Sequence, residues 1–362
     1  MSSRLTDGHV AKNPDNTRKA NIFDVARLAG VSHQTVSRVL NDLPNVRPAT
    51  RKRVEDAIRQ LHYTPSPAAR ALVTKRSRTI GLIQASAGEY GPSQTALAFS
   101  EAARDAQYIV LTIEMATGEG GAVRNAAETL VRQNVEGIVL ICDNRYVLDA
   151  IYESEIGVPI VSIDAGAPAH SLAASVDQRG GARQAVRHLI DLGHRDIAHL
   201  AGPMHSPDAQ ARIEGWRAEL AEDGLVARPH GVGDWTAAGG YQFGRTFPVA
   251  EPFTAAFIAN DQMAIGFIGA LVERGYSVPG DVSVVGFDDI PEARYVNPGL
   301  STIRQDFAGL GRSALDLVLA VLDDEEAVRS AEPLPTTLTV RRSSGEPGLR
   351  HPELPAVTLE TS

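Results

Sequence analysis

The chain has 362 residues, 43% of them hydrophobic and 22% charged, a length that excludes a lone binding module and predicts two or three domains with a full-sized core. A single cysteine, Cys142, excludes an intrachain disulfide, no apolar run reaches membrane-spanning length, and the start MSSRLTDGHVAKNPDNTRKA lacks the apolar segment of a signal peptide, so a cytoplasmic protein with no membrane partner is expected. The net charge of −9 hides an asymmetry: residues 1–78 carry 15 Lys+Arg against 6 Asp+Glu, and the remainder 20 against 38, a basic head on an acidic body in which only the head suits phosphate.

Residues 1–20 read as a flexible, partly basic tail. From Asn21, the stretch NIFDVARLAGVSHQTVSRVLN reads as two short helices meeting at a tight turn. Ile22, Val25, Ala26 and Ala29 fall at i, i+3, i+4 and i+7, an apolar stripe that needs a partner to cover it. Gly30 ends the first helix, Ser32 suits the N-cap of the next, and Val36, Val39 and Leu40 face back toward the first. His33, Gln34, Ser37 and Arg38 are left on the outer face. Such a pair is a helix-turn-helix, whose second helix lies in the major groove of double-stranded DNA, where Gln suits adenine and Arg suits guanine. Any small three-helix domain also has polar outward residues, so spacing alone leaves that plainer account open.

After the loop NDLPNVRP, Pro48 suits the first turn of a third helix, and Val54, Ala57, Ile58 and Leu61 complete a three-helix core spanning residues 21–63. Its other face carries Arg51, Lys52, Arg53 and Arg59, either a solvated charged surface or, beside a reading helix, contacts to backbone phosphates. Residues 64–78 follow as a linker: Pro65 and Pro67 break the preceding helix, and AARALV allows only about two helical turns, too few to be stable alone.

From Thr79 the chain alternates short β-branched runs with helical patterns. IGLIQAS, YIVLTIE, GIVLIC and PIVSID read as buried parallel strands, with helices around Ser93–Ala106, Ala122–Gln133 and Tyr146–Glu155. IAHLAG, TAAFIA and VSVVGF form a second series with helices around Gly180–Leu192, Asp208–Glu222, Ala237–Phe247 and Gln262–Arg274. The pattern predicts two doubly wound α/β lobes and leaves strand order open. Ligands in such folds bind past the carboxyl ends of strands, here between the lobes, so Asp164, Asn260, Asp261, Asp288 and Asp289 are candidates, together with Arg212 and Trp235. Carboxylate, amide and guanidinium groups can each engage neighbouring hydroxyls, and an aromatic face covers the apolar side of a pyranose, which points to a sugar. Each also has a blander account: Asp261 and Asp289 as helix caps, Trp235 as core, Arg212 as a solvated helix charge.

DVARLAGVSHQTVSRVLN resembles the N-terminal motif of the lac repressor/galactose repressor family of bacterial transcription regulators, and AGP…AR…GW, GDWTA, ANDQMAIG, DVSVVGFDD and STIRQDF are similar to segments of its effector-binding core, most of all in the family's namesake. The resemblance implies a helix-turn-helix head with a hinge helix, then a two-lobed α/β core like the periplasmic binding proteins, with parallel sheets, over residues 79–342. The first lobe would take about 79–176 and 307–334, the second about 177–304 and 335–342, with crossings near Val176, Arg304 to Phe307, and Pro333 to Thr336. It implies DNA contacts at Ser32, His33, Gln34, Thr35, Ser37, Arg38, Asn41, Thr50 and Arg51, and a hinge residue, Leu72, wedged into the minor groove. It implies an effector pocket lined by Pro92, Asp164, Arg212, Trp235, Asn260, Asp288, Gln305 and Phe307.

The function so implied is repression of sugar-utilisation genes by a homodimer on a palindromic operator, released by a sugar inducer, in particular a galactoside, with no cofactor and no metal. The alternatives are a corepressor-dependent regulator of purine type and a sugar-binding protein without a DNA role. Glu89, Tyr90 and Ala85 depart from the namesake's pocket, and His33 departs from its reading helix. The end, RRSSGEPGLRHPELPAVTLETS, lacks the heptads that make tetramers, so a dimer is expected and residues 343–362 read as a flexible tail. No GxSxG, complete GxGxxG, P-loop, HExxH or CxxC occurs, and Asp288 and Asp289, adjacent on one strand end, point apart and cannot flank one bond, so no enzyme is expected and no catalytic residue is assigned.

Overall fold

The computed structural model describes residues 20–40, 43–64, 76–85, 89–115, 120–164, 171–246, 253–323 and 331–348. It divides into a head, within residues 1–77, and a body from Arg78 onward.

In the head, α1 (Ile22–Ala29) starts with reciprocal capping: the Asn21 side chain accepts from the Phe23 and Asp24 amides, and Asp24 Oδ2 accepts from the Asn21 amide at 3.0 Å. Gly30 closes it at φ 65°, a left-handed conformation that glycine adopts without a side-chain penalty, while Val31 N–H reaches back to the Ala26 carbonyl. Ser32 Oγ then accepts from Thr35 N–H at 3.2 Å to start α2 (His33–Leu40). Val25, Ala26, Ala29, Val36 and Val39 are buried against Val54 and Ala57 of α3 (Pro48–Gln60), with Ile22, Leu40, Ile58 and Leu61 packed around them.

The body holds two sheets. In the first lobe, strands β1 (Thr79–Gln84), β2 (Ile109–Glu114), β3 (Gly137–Ile141), β4 (Ile160–Ile163) and β5 (Leu172–Ala174) lie in the order β2-β1-β3-β4-β5, all parallel. The period-2 alternation divides their side chains. Ile80, Leu82, Val139, Ile141 and Val161 meet α4 (Tyr90–Asp105) and the late helix α11 (Phe307–Leu322) through Phe99, Leu310 and Val318. Ile83, Ile138 and Leu140 meet α5 (Gly120–Arg132) and α6 (Arg145–Tyr152) through Val123, Leu130, Leu148 and Ile151. The expectation of a buried YIVLTIE strand is corrected: β2 is the sheet edge, covered only in part, and Ile109 is 55% exposed.

In the second lobe, β6 (Ile197–Ala201), β7 (Gly231–Val232), β8 (Ala255–Ile258), β9 (Ser283–Asp288), β10 (Ser301–Arg304) and β11 (Thr337–Thr339) lie in the order β11-β10-β9-β8-β6-β7, parallel except for β11. Helices α7 (Gln178–Asp191) and α8 (Pro207–Glu222) cover one face through Leu189 and the fully buried Trp216, and α9 (Ala237–Thr246) and α10 (Asp261–Glu273) cover the other through Met263, Phe267 and Leu271. Strands β5, β7, β10 and β11 were not read from the sequence: each is only two to four residues long and, unlike β4 and β8, is not set in a longer apolar run.

The chain passes between lobes at Val176, at Gln305–Asp306 and at Leu334, and the first and last of these pair directly: Leu334 N–H donates to Ser175 O at 2.9 Å, and Asp177 N–H to Leu334 O at 2.8 Å. The reading of 343–362 as a flexible tail is corrected for its first part. Ser343 is fully buried and donates to Val284 O at 2.6 Å, and Gly345 O accepts from His194 Nε2 and Ser283 Oγ, so residues 343–348 are fixed to the second lobe by hydrogen bonds that a composition-based reading cannot see. Residues 349–362 lie outside the described part.

Candidate functional site

The head presents one polar face. His33, Gln34 and Arg38 are exposed, and Thr35 and Ser37 are half-buried, on a helix whose opposite side is held by Val36 and Val39. Ser32 is committed to capping, with Oγ also 3.0 Å from Thr35 Oγ1, and the His33 ring lies 5.2 Å from that of Phe23. Thr50 and Arg51 sit in the first turn of α3, where Arg51 donates weakly to Leu43 O at 3.4 Å. Arg59 is paired with Asp56 and is less available for phosphate than its exposure suggests. Asn41 and Leu72 lie outside the described residues.

In the body, an open cavity lies between the lobes, and Pro92, Asp164, Arg212, Trp235, Asn260, Asp288, Gln305 and Phe307 all line it. They converge because strand-to-helix turns place them there. Asn260 caps α10, its Oδ1 accepting from Met263 N–H at 3.0 Å, and Asp306 caps α11 through Gly309 N–H at 2.8 Å; caps of this kind contribute about 1 kcal/mol each. Ser206 caps α8 by accepting from Ala209 N–H at 3.0 Å, which directs the next turn, carrying Arg212, into the cavity.

Arg212 is buried and held on two of its nitrogens. Nε donates to Gln178 Oε1 at 2.9 Å, Nη1 donates to Ala259 O, and the guanidinium lies 3.9 Å over the Phe287 ring. Gln178 donates onward to Gln305 Oε1 at 3.0 Å, and Gln305 donates to Asp288 Oδ1 at 2.7 Å. The chain Arg212–Gln178–Gln305–Asp288 therefore fixes the orientation of each group, and a ligand meets donors and acceptors already aimed. Such fixed networks strengthen in a low-dielectric cleft. Asp164 is held by Ser162 Oγ at 2.6 Å.

Trp235 stands at φ 67°, Asp288 at 111° and Asp289 at 56°. Left-handed backbone in residues with side chains is costly and collects at functional sites, and here two of the three face the cavity. Asn260 Nδ2 donates to Trp235 O at 2.9 Å and helps hold that conformation. A Cβ on Gly202 would fall 2.2 Å from the indole, so the ring lies flat on bare backbone.

The lining is acidic. Burial raises Asp288 to about 6, moderated by Arg212 and Gln305. Burial raises Glu89 to about 7, with Asp208 and Asp288 adding to it. Asp143 is pushed well above the carboxylate range by burial and by Asp208 and Glu89, although Ser206 and Trp235 hydrogen bonds oppose this. Asp261 and Asp289, by contrast, are internal: Asp261 accepts from Ile290 N–H and Thr302 Oγ1, and Asp289 is paired with Arg341. Sequence reading missed Asp143, Asp208 and Gln178 as contributors. Asp143 follows the GIVLI strand by two residues and was open to the strand-end rule, whereas the other two carry no local signal. Among the described residues, no cluster of His, Cys, Asp and Glu could hold a metal ion, and no helix is long and apolar enough to cross a membrane.

Residues 21–66 match the family described as bacterial regulatory proteins, lacI family, and residues 186–344 match a periplasmic binding protein-like domain. The chain is 36% identical over 338 residues to the lactose operon repressor of Escherichia coli (strain K12), covering 90% of this chain and 91% of that protein. It is 33% identical over 344 residues to the HTH-type transcriptional repressor PurR of Haemophilus influenzae (strain PittEE), covering 90% and 98%. Among solved structures it is similar to the lac repressor dimer bound to operator and the anti-inducer ONPF, with a TM-score of 0.83, 33% identity and coverage of 91% and 100%. It is also similar to the transcriptional regulator CelR–cellobiose complex, with a TM-score of 0.68, 29% identity and coverage of 90% and 100%.

Proposed function

The chain belongs to the lacI family of bacterial regulatory proteins and is a DNA-binding transcriptional repressor, and from that premise we propose that a neutral sugar, a galactoside, binds between its lobes and releases it from a palindromic operator. One observation carries the sugar reading: a carboxylate (Asp288), an amide (Gln305) and a guanidinium (Arg212), oriented by one hydrogen-bonded chain, line the same cavity as the Trp235 ring. Vicinal hydroxyls match the first three groups, and the ring suits the apolar face of a pyranose. The protein acts by binding, not by catalysis.

The working unit is a homodimer in the cytoplasm, an assignment supported by likeness to the operator-bound lac repressor dimer, with one head on each half-site. Sugar in the cleft favours a lobe arrangement that separates the two hinge segments, each carrying Leu72, and operator affinity falls. Because this is a coupling of two equilibria, operator DNA must weaken sugar binding by the same factor.

The likeness to PurR supports a second reading, in which a purine acts as corepressor. A fluorescence anisotropy titration on a palindromic operator from the protein's own upstream region, with galactosides, glucosides and purines added, separates the two. Release by one galactoside is the expected outcome; tighter operator binding with a purine, and none of these sugars active, would replace it with the corepressor mechanism.

A further inference from the structure

We propose that Glu89 is a specificity-determining residue that restricts the effector to sugars presenting a hydroxyl or protonated amine to the first-lobe wall and carrying no phosphate or carboxylate. The proposal rests on the sugar reading above and narrows its class.

Glu89 stands at the N-cap of α4 in extended backbone, φ −81° and ψ 145°, yet its carboxyl accepts none of the first-turn amides. It lines the cavity instead. Across the cavity stand two second-lobe carboxylates, Asp208 and Asp288, near enough to raise its pKa together with burial. Among the described residues, Asp143 and Asp164 complete a lining of five carboxylates against the single guanidinium of Arg212. Two donors of that guanidinium are held by Gln178 and Ala259 O over the Phe287 ring, and its Nη2 lies 3.9 Å from both Asp208 and Asp288, so its single positive charge is already balanced by two carboxylates. Among the described residues, the lining offers an anionic ligand no cation whose charge is not already offset by nearby carboxylates.

The arrangement also makes lobe closure depend on the ligand. Carboxylates on opposite walls repel as the walls approach, with a strength that grows as the cleft dries. A ligand that places a donor between Glu89 and the second-lobe pair turns that repulsion into two charge-assisted hydrogen bonds. A phosphate in the same place adds to the repulsion. Sugar hydroxyls satisfy the requirement, and an amino sugar satisfies it with a charge; as that charge favours ionised Glu89, amino-sugar affinity rises with pH toward about 7 and falls again above about 8 as the amine loses its proton. The groups facing Glu89 in this titration are Asp143, Asp208, Asp288 and Arg212, with Tyr90 adjacent in the chain.

The test uses the full chain and calorimetric titration with galactose, galactosamine and galactose 6-phosphate, and with the matching glucose series, on the parent protein, Glu89→Gln and Glu89→Leu. Operator binding of each variant without sugar serves as the check on folding. The parent protein is expected to bind the neutral or amino form about 100-fold or more tighter than the phosphate. Glu89→Gln, which keeps the shape and hydrogen bonding, narrows that ratio by about tenfold and flattens the pH slope of amino-sugar binding, while Glu89→Leu weakens the neutral sugar itself by about tenfold. Tight binding of a neutral sugar with an unchanged phosphate ratio in Glu89→Gln overturns the role of Glu89 and leaves the sugar reading standing. Failure of every sugar to bind a parent protein that holds its operator overturns both.

Discussion

Asp143 Oδ2 accepts a 2.9 Å hydrogen bond from Trp235 Nε1, tying the end of a first-lobe strand to a second-lobe loop across the cavity. The other carboxylate oxygen accepts from Ser206 Oγ, and the Arg145 amide donates to His205 O at 3.0 Å alongside. Polar contacts, which a ligand can compete with or extend, therefore join the lobes in addition to the covalent crossings. Asp143→Ala leaves an indole N–H and a hydroxyl unpaired and is expected to destabilise the body by about 1–3 kcal/mol, while Asp143→Asn, whose one carbonyl oxygen still accepts the indole N–H and whose amide N–H turns to Ser206 Oγ, loses less. Chemical denaturation of the two variants checks the difference; equal losses would show that the acceptor retained for the Trp235 indole contributes nothing.

The two tryptophans report different places. Trp216 is wholly buried between α8 and the second sheet, whereas Trp235 lines the cavity. A ligand-dependent change in emission should survive in Trp216→Phe and vanish in Trp235→Phe. A change that followed Trp216 instead would place the ligand elsewhere.

Asp288→Ala removes the acceptor at the end of the Arg212–Gln178–Gln305 chain. A hydrogen bond to a charged group contributes about 1.5–3 kcal/mol, so sugar affinity should fall roughly 10- to 100-fold with operator affinity unchanged, giving a repressor that stays on its operator. Normal release by the same sugar concentration would remove Asp288 from the site.

In the head, Gln34→Ala should cost about 1–3 kcal/mol on the cognate operator and less on random DNA, because base-edge contacts carry the sequence discrimination. Leu72→Ala should lower operator affinity and spare sugar binding. Side-by-side titrations on cognate and scrambled duplexes read both, and a Gln34 variant that weakened the two duplexes alike would mark that residue as a positioning contact.

The acidic cleft also gives the protein a pH dependence. Glu89 has its folded pKa raised from 4.5 to about 7, so between those values the folded protein holds a proton that the unfolded chain releases. That contribution to stability is full below about pH 4.5 and is lost as pH rises through 7. Asp288, raised to about 6, acts in the same sense. Glu89→Gln should therefore flatten the fall in Tm toward pH 8 and leave the variant more stable than its parent there, measured without sugar. A parallel pair of Tm profiles would show that Glu89 titrates normally.

The head was legible almost residue by residue from sequence, because its interactions are local: Ser32 caps within its own turn, Gly30 turns the chain where it stands, and Val25, Ala29, Val36 and Val39 are close in the chain and find one another across a single bend. The strand ends were legible for a related reason. A continuous β-branched apolar run says where a strand buried on both faces lies, and a parallel sheet presents the residues just beyond it, which makes Asp164, Asn260 and Asp288 legible as strand-end residues. Periodicity says nothing about which strand lies beside which, so the edge position of β2 and the antiparallel β11 were decided only by packing. The same holds for the chemistry of the cleft. Glu89 and Asp143 are ordinary acids in sequence; they become a charge filter and a link between lobes because folding brings them to Asp208, Asp288 and Trp235 and buries them there. Residue types and spacing are properties of the chain, whereas electrostatics depends on distance and burial, and those belong to the tertiary structure.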